Sequence, residues 1–456
     1  MSKNDIENQK ARSLYEKPVK TPENLLYDKY GFITEQKAKN EANNEKIDRR
    51  WREILTAYEN NPILSQDCVN SSNQRLMDDS DRKERKSDQN LFSSLKDTFL
   101  KNSNKKSISS PIQGLVTQSY HNILESTEIL KYLVFKGIPL ELKTRIWPFL
   151  LQRRGLFLIY RERIEDKHKK HSKYYDEKNL SSSDQKSTTL NYSIKLKSKE
   201  KKSSKTNQDS NSISDICAIL EQQYQILKNK PSGFEYQIHV DVQRTFRNHK
   251  FFYQEYSQKQ CELFNILVAF SNHNKEVGYC QGMSSFTSLI LMFFDELDTF
   301  LILKDILADL EQLFDKCLSL LQNLILLQKQ QFISIIPEIF YILKNEDIDL
   351  CLFLYSWYLT LFTRFDIKLV LRIWDIFMFY GSSAILPITT GILSYFSQEI
   401  ASLKGECLIS FLNQIETQVL SDSQVDSIIK RIEYVIDECD LEDIAQILHF
   451  LNPKIN

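Results

Sequence analysis

Three features of the sequence predict an all-α fold: scarce glycine, scarce proline, and a long succession of apolar residues spaced three and four apart. The chain has 10 glycines and 10 prolines in 456 residues. That is roughly a third of ordinary glycine usage. β-Barrels, glycine-cornered sheets and tandem dinucleotide folds all spend glycine on tight turns, so they are disfavoured. Apolar residues make up 42% and aromatic residues 11%, enough for a large folded core.

Taken in order, residues 1–65 form a polar extension. It holds an aromatic cluster, NLLYDKYGFI (24–33), and a predicted helix over 45–58 with Ile47, Trp51, Ile54 and Leu55 on one face. Residues 66–125 read as a linker, rich in Ser, Asn, Asp and Lys over 66–112, and are expected to be disordered. The main domain is expected over 126–385. It is interrupted at about 161–212 by a Lys/Ser-rich insertion with too few large aliphatics to offset its ordering entropy. Ile213, Ile216, Cys217, Leu220, Tyr224 and Leu227 predict a helix over 213–230, stopped by Pro231-Ser232-Gly233. Leu263, Phe264, Leu267 and Phe270 predict another over 258–270. Helical patterns then alternate to the end, with breaks near 295–298, 345–349, 380–383 and 421–423. Residues 386–456 are expected to be helices packing on the domain.

Composition also excludes functions. With 59 basic and 60 acidic residues, the chain has no overall electrostatic bias toward nucleic acid. Its eight cysteines form no C-x-x-C pair, so neither a zinc site nor a disulfide framework is expected. The polar start lacks the apolar core of a secretory signal, and no run of 18 apolar residues occurs, so a reduced, cytoplasmic location is expected. Phosphate-loop, dinucleotide, zinc-protease and nucleophile-elbow motifs are all missing, and no metal site or cofactor of its own is expected.

Glycine, proline and tryptophan instead gather in three segments. In FKGIPLELKTRIWPFLL (135–151), Gly137 and Pro139 fit a turn into a helix, with Pro139 at the first helical position. Leu142, Ile146, Phe149 and Leu150 form its apolar stripe. In IHVDVQRTFRNHKFF (238–252), Asp241 and Arg244 lie three apart, which on a helix places carboxylate and guanidinium on one face. In NKEVGYCQGM (274–283), Gly278 and Gly282 bracket Gln281, so that a loop can present its amide to a partner. Singly, each has a plain structural explanation: a surface ion pair, a helix start, a loop glutamine.

Together and in this order, the segments resemble the TBC domain, the activating module for Rab-type small GTPases. Gly137 to Trp147, with Ile138 and Pro139, matches its G-I-P-x-x-L-[RK]-x-x-[IV]-W segment. Ile238 to Phe246 matches I-x-x-D-x-x-R-T-F, and Val277 to Met283 matches V-G-Y-C-Q-G-M. Residues 355–381, with Trp357, Arg372, Trp374 and Asp375, look like its downstream S-W-[FY]-L-T-L-F and R-I-W-D segments. The match covers roughly 130–385. Arg247 stands where the family commonly has proline, and the 161–212 insertion lengthens the first interval.

The resemblance implies an irregular multi-helix domain with N- and C-terminal helical subdomains. It also implies a division of labour. Arg244 would be an arginine finger, Gln281 a glutamine finger, and Asp241, Thr245, Tyr279, Cys280 and Gly282 their supports. The implied partner is a GTP-bound Rab, which brings its own GTP and Mg2+ and through which any membrane contact would be indirect. A silent GTPase-binding scaffold is the alternative that the same likeness leaves open.

Overall fold

Helices account for nearly all regular structure in the computed structural model, which describes residues 3–20, 26–33, 45–60, 127–153, 209–315 and 318–450. Among these there is no β-strand, only isolated bridges. The expected linker and most of the Lys/Ser-rich insertion lie outside the described residues. The chain divides into two compact units, Asn40–Ile146 and the remainder.

In the smaller unit, α2 (Glu45–Asn60) follows the predicted face: Trp51, Ile54 and Leu55 are buried, and Ile47 is half-buried. Trp51 donates its Nε1 to the Gly137 carbonyl at 3.2 Å. A second helix, α3 (127–136), buries Leu130, Leu133, Val134 and Phe135. Pro139 does not occupy the first helical position. Its ψ of 140° makes it the extended residue before a 3-10 turn, Leu140–Leu142, which leads into α4 (Lys143–Arg153). The reason is local: Gly137, with φ +99°, closes α3, and proline's fixed φ suits the extended entry.

The larger unit begins with a helix that the sequence reading did not anticipate, α1 (Lys3–Ser13). Its composition is polar because it buries little of itself, chiefly Ala11. α5 (Asp209–Asn229) starts four residues inside the stretch read as insertion and runs to the predicted stop. α6 (Glu235–Arg244), α7 (Gln258–His273), α8 (Met283–Leu291) and α9 (Glu296–Leu310) follow. Here α7 is the hub, packed against α5, α6, α8 and α9. Leu263, Phe264, Leu267 and Phe270 are all buried. Ser257 caps α7 and Asp295 caps α9, each side chain accepting a first-turn N–H. The break near 295–298 is therefore at 292–295.

A second group comprises α10 (Ser319–Ile335), α11 (Pro337–Asn345), α12 (Cys351–Leu359), α13 (Ile367–Tyr380), α14 (Ile385–Tyr395), α15 (Ser397–Ser402), α16 (Gly405–Gln414), α17 (Asp422–Glu438) and α18 (Leu441–Phe450). Its centre is α14 against α17. At Gly391 a Cβ would lie 2.7 Å from the Ile432 backbone, so only glycine permits that approach. Among the described residues one helical stretch, Ile367–Tyr395, is long and apolar enough to cross a membrane. Its most apolar window is 83% buried against other helices, as a core element is.

Three tryptophans and an arginine tie the motif segments into this core. Trp147 and Trp374 are both fully buried, with ring centroids 6.1 Å apart. Trp147 donates Nε1 to Asp375 Oδ1 at 2.8 Å, and Trp374 donates to the Leu361 carbonyl at 3.1 Å. Trp357 packs edge-on to Phe353 and Phe365. Arg372 pairs with Asp426 of α17 at 3.0 Å. Only Trp147 reaches across to the first group, at Phe293 and Phe294, and none of these residues reaches the groove described next.

Candidate functional site

Between the two helix groups of the larger unit lies an open groove of about 980 Å³. The C-terminal end of α6 supplies Arg244 and Thr245. The loop before α8 supplies Cys280, Gln281 and Gly282. The second group supplies Ser356, Thr360 and Arg364. The two candidate fingers, 37 positions apart in sequence, thus share one cavity wall.

Arg244 is the last residue of α6, and its side chain is 57% exposed. One turn back, Asp241 is only 3% exposed, and its Oδ1 receives Arg244 Nη2 at 2.6 Å. The other oxygen, Oδ2, accepts from the Tyr279 hydroxyl at 2.6 Å. One buried carboxylate therefore joins the second motif segment to the third. Burial, and then the Asp241 charge, push the Tyr279 phenol well above its ordinary value, so Tyr279 stays a neutral donor. Thr245 makes a parallel tie: its Oγ1 donates to the Asp241 carbonyl at 2.7 Å and is hydrogen-bonded with Ser284 of α8 at 3.0 Å.

The Gln281 loop is shaped by its glycines. Gly278 and Gly282 both have left-handed φ, +63° and +108°. Gly282 is also the residue before α8, and a Cβ there would sit 2.5 Å from the Leu359 carbonyl oxygen. Only glycine satisfies both conditions. Cys280 contributes its backbone, whose N–H points at the Met283 sulfur at 3.2 Å. Burial raises the Cys280 thiol above its usual range, so it is not poised as a nucleophile. Gln281 is exposed, and its amide bonds to no described residue. It is therefore free to donate and accept.

Groove electrostatics differ from those of the whole chain. Among the described lining residues three are arginines, Arg244, Arg247 and Arg364, and none is acidic. Each is braced by a carboxylate from outside the groove, Arg247 by Glu255 at 3.2 Å and Arg364 by Glu416 at 2.9 Å. The first turn of α8, with Ser284 and Ser285, also opens into it. Fixed cations beside a helix N-terminus suit an anionic ligand.

Among the lining residues that the sequence did not single out are Ser356, Thr360, Phe32 and Arg364. Phe32 lines the groove from the aromatic cluster at 24–33, whose unusual density was visible. Arg364 is the lone cation in the apolar and hydroxylic run 351–365. The structural residues Gly137, Ile138, Pro139, Trp147, Trp357, Arg372, Trp374 and Asp375 do not line the groove. Among the described residues no cluster of His, Cys, Asp and Glu could hold a metal ion.

With this geometry in place, comparison with known proteins is informative. The chain is 30% identical over 200 residues to the human ecotropic viral integration site 5 protein homolog, covering 43% of this chain and 25% of that protein. It is 30% identical over 234 residues to mouse TBC1 domain family member 4, covering 50% and 17%. It is also 30% identical over 199 residues to the Caenorhabditis elegans Rab GTPase-activating protein eat-17, covering 42% and 22%. The match thus spans a quarter or less of these relatives. Among solved structures, the Ypt/Rab-GAP domain of Gyp1p aligns with 68% of this chain and 92% of its own at 16% identity and a TM-score of 0.44. The Chlamydomonas flagellar RabGAP TBC domain aligns with 89% and 99% at 14% identity and a TM-score of 0.46. The Rab-GTPase-TBC domain family matches residues 140–401, more than half of the sequence and all three motif segments from Leu140 onward, so the chain belongs to that family.

Proposed function

We propose that this protein accelerates GTP hydrolysis by a Rab-type small GTPase, lending it Arg244 and Gln281, and so regulates vesicle trafficking. It has no reaction of its own on this reading. GTP and Mg2+ come with the GTP-bound partner, and contact with a membrane is indirect, through that partner.

A small GTPase hydrolyses GTP slowly because charge building on the transferred phosphoryl group lacks a nearby cation and because the attacking water is poorly held. Arg244 answers the first need. Its planar, permanently charged fork can bridge two phosphate oxygens, as a lysine ammonium cannot. Asp241 takes one of its hydrogens and fixes its direction, and the remaining donors have no partner within the described chain. Gln281 answers the second need, since an amide can donate to one oxygen and accept from a water. Arg247 and Arg364 extend the cationic wall toward an acidic partner surface. The observation that carries the reading is that the guanidinium and the amide, both exposed, open onto one groove.

A supplied arginine raises the rate by about 10³–10⁵, or roughly 4–7 kcal/mol of barrier. Arg244→Ala and Arg244→Lys are therefore expected to abolish stimulation with the fold intact, and Gln281→Ala to lose most of it. The test is single-turnover hydrolysis across a panel of GTP-loaded Rabs. A wild-type chain that binds one of them yet stimulates its hydrolysis no more than a variant carrying Arg244→Ala and Gln281→Ala together would be a scaffold instead.

A further inference from the structure

We infer that the described N-terminal residues, 3–20 and 26–33, are a positioning element for Arg244, gripping the finger-bearing helix α6 at both ends. The inference rests on the function proposed above. It concerns residues outside the span 140–401 matched by the family.

α6 is a ten-residue helix with no side-chain cap of its own at Phe234. A helix this short owes its position to tertiary contacts. At its start the missing cap comes from α1: Asn8 Oδ1 accepts the Tyr236 N–H at 2.8 Å, and Asn8 Nδ2 donates to the Gly233 carbonyl at 3.2 Å. Arg12 grips the same end. Its Nε and Nη2 hold both oxygens of the Glu235 carboxylate, which is 1% exposed, at 2.6–3.1 Å. The same guanidinium donates to the Lys228 and Lys230 carbonyls at 3.1 and 2.8 Å, closing the end of α5. Midway, the buried Tyr15 hydroxyl lies 3.0 Å from His239 Nδ1 and accepts from Gln243, the residue before Arg244, at 3.1 Å.

The far end is held by the turn at 28–33. Ile33 N donates to the Asn248 carbonyl at 2.7 Å, and Lys250 N donates to the Gly31 carbonyl at 2.8 Å. Phe32 stands edge-on to Phe246 with centroids 6.0 Å apart. Phe246, two residues past the finger, has φ +45°, a conformation a bulky side chain keeps only when its surroundings impose it. The segment therefore fixes where α6 begins, how it is rolled and how the chain leaves Arg244.

The test uses the full chain with Asn8→Ala and Arg12→Ala together, since neither side chain lines the groove. Hydrogen exchange of amides 236–250 and single-turnover hydrolysis on a Rab that the wild type stimulates are read side by side. Exchange there should accelerate about tenfold with α14 and α17 unchanged, and the rate at saturating activator should fall at least about fivefold with the half-saturating concentration moving under about twofold. Asn8→Asp, which keeps the acceptor for the Tyr236 N–H but loses the donor to the Gly233 carbonyl, should fall between the wild type and Asn8→Ala. Should the double variant unfold, Asn8→Ala alone carries the same comparison. An unchanged saturating rate, or a loss confined to the half-saturating concentration, overturns the inference. If the wild type stimulates no Rab, the functional reading fails separately and exchange alone decides: acceleration confined to 236–250 upholds the positioning role, and no change overturns it.

Discussion

At the scale of single residues, the decisive contact is the Asp241 carboxylate shared by Arg244 and Tyr279. Tyr279→Phe removes the hydroxyl that satisfies Oδ2 in a site 3% exposed. Leaving a buried acceptor without its donor costs about 1–3 kcal/mol. The expected result is a lower melting temperature and stimulated hydrolysis reduced about tenfold, with partner affinity retained. The i, i+3 spacing of Asp241 and Arg244 was legible in the sequence because helix geometry is local. Tyr279 as the carboxylate's second partner was not, since nothing in local spacing pairs residues 38 apart.

His249 gives a second residue-scale expectation. Its Nε2 lies 3.0 Å from the Tyr30 carbonyl, which can only accept, and its Nδ1 receives the Phe251 N–H at 3.3 Å. These partners assign the neutral tautomer with hydrogen on Nε2. Burial, aided by the Lys250 charge, pushes this histidine down to about 4. The folded value lies below the unfolded one, so the unfolded chain binds the extra proton. Stability from this site is fully present above about pH 6.5, is lost as pH falls toward 4, and is reduced by about 2 kcal/mol near pH 5. Denaturant melts at several pH values should show a shallower slope in His249→Asn than in the wild type, the remainder coming from His239 and His273, which burial also shifts down.

At the scale of elements, the loop between Gly278 and α8 depends on one backbone geometry. Gly282→Ala adds a Cβ at φ +108° and 2.5 Å from the Leu359 carbonyl oxygen. Left-handed strain costs about 1–3 kcal/mol, and displacing a backbone carbonyl adds to it. Unfolding free energy should fall by about 2–4 kcal/mol, and stimulation should fall with it because Gln281 is the preceding residue. The helices themselves were largely readable, since apolar spacing in α2, α7 and α13 is strong. α1 was not, because a helix docked by Asn8 and Arg12 leaves little apolar periodicity to find. Pro139 was misplaced by one element boundary, because its fixed φ suits both a helix start and the extended residue before one.

At the scale of the whole molecule, near-neutrality conceals local charge. The net charge of −1 gives no hint of a groove lined by three arginines and no acid, which arises only when α6, the α8 loop and the chain after α12 converge. Composition cannot register such an arrangement, whereas motif order can, because the segments that carry the groove recur in the same sequence. Trp147, bonded to Asp375 on one side and packed against Phe293 and Phe294 on the other, joins the helix groups that flank the groove, so the groove is part of a packed core. A rigid site of this kind can aim two side chains at a developing charge without reorganisation.

The most direct measurement is affinity for a Rab loaded with GDP and aluminium fluoride, which imitates the planar phosphoryl group in transfer. Wild-type chain should bind this form at least about tenfold more tightly than the GDP form, and Arg244→Ala should lose that preference. Equal affinity of the wild type for both forms, or a preference that survives Arg244→Ala and Gln281→Ala together, would contradict the claim that these two side chains enter the partner's nucleotide site.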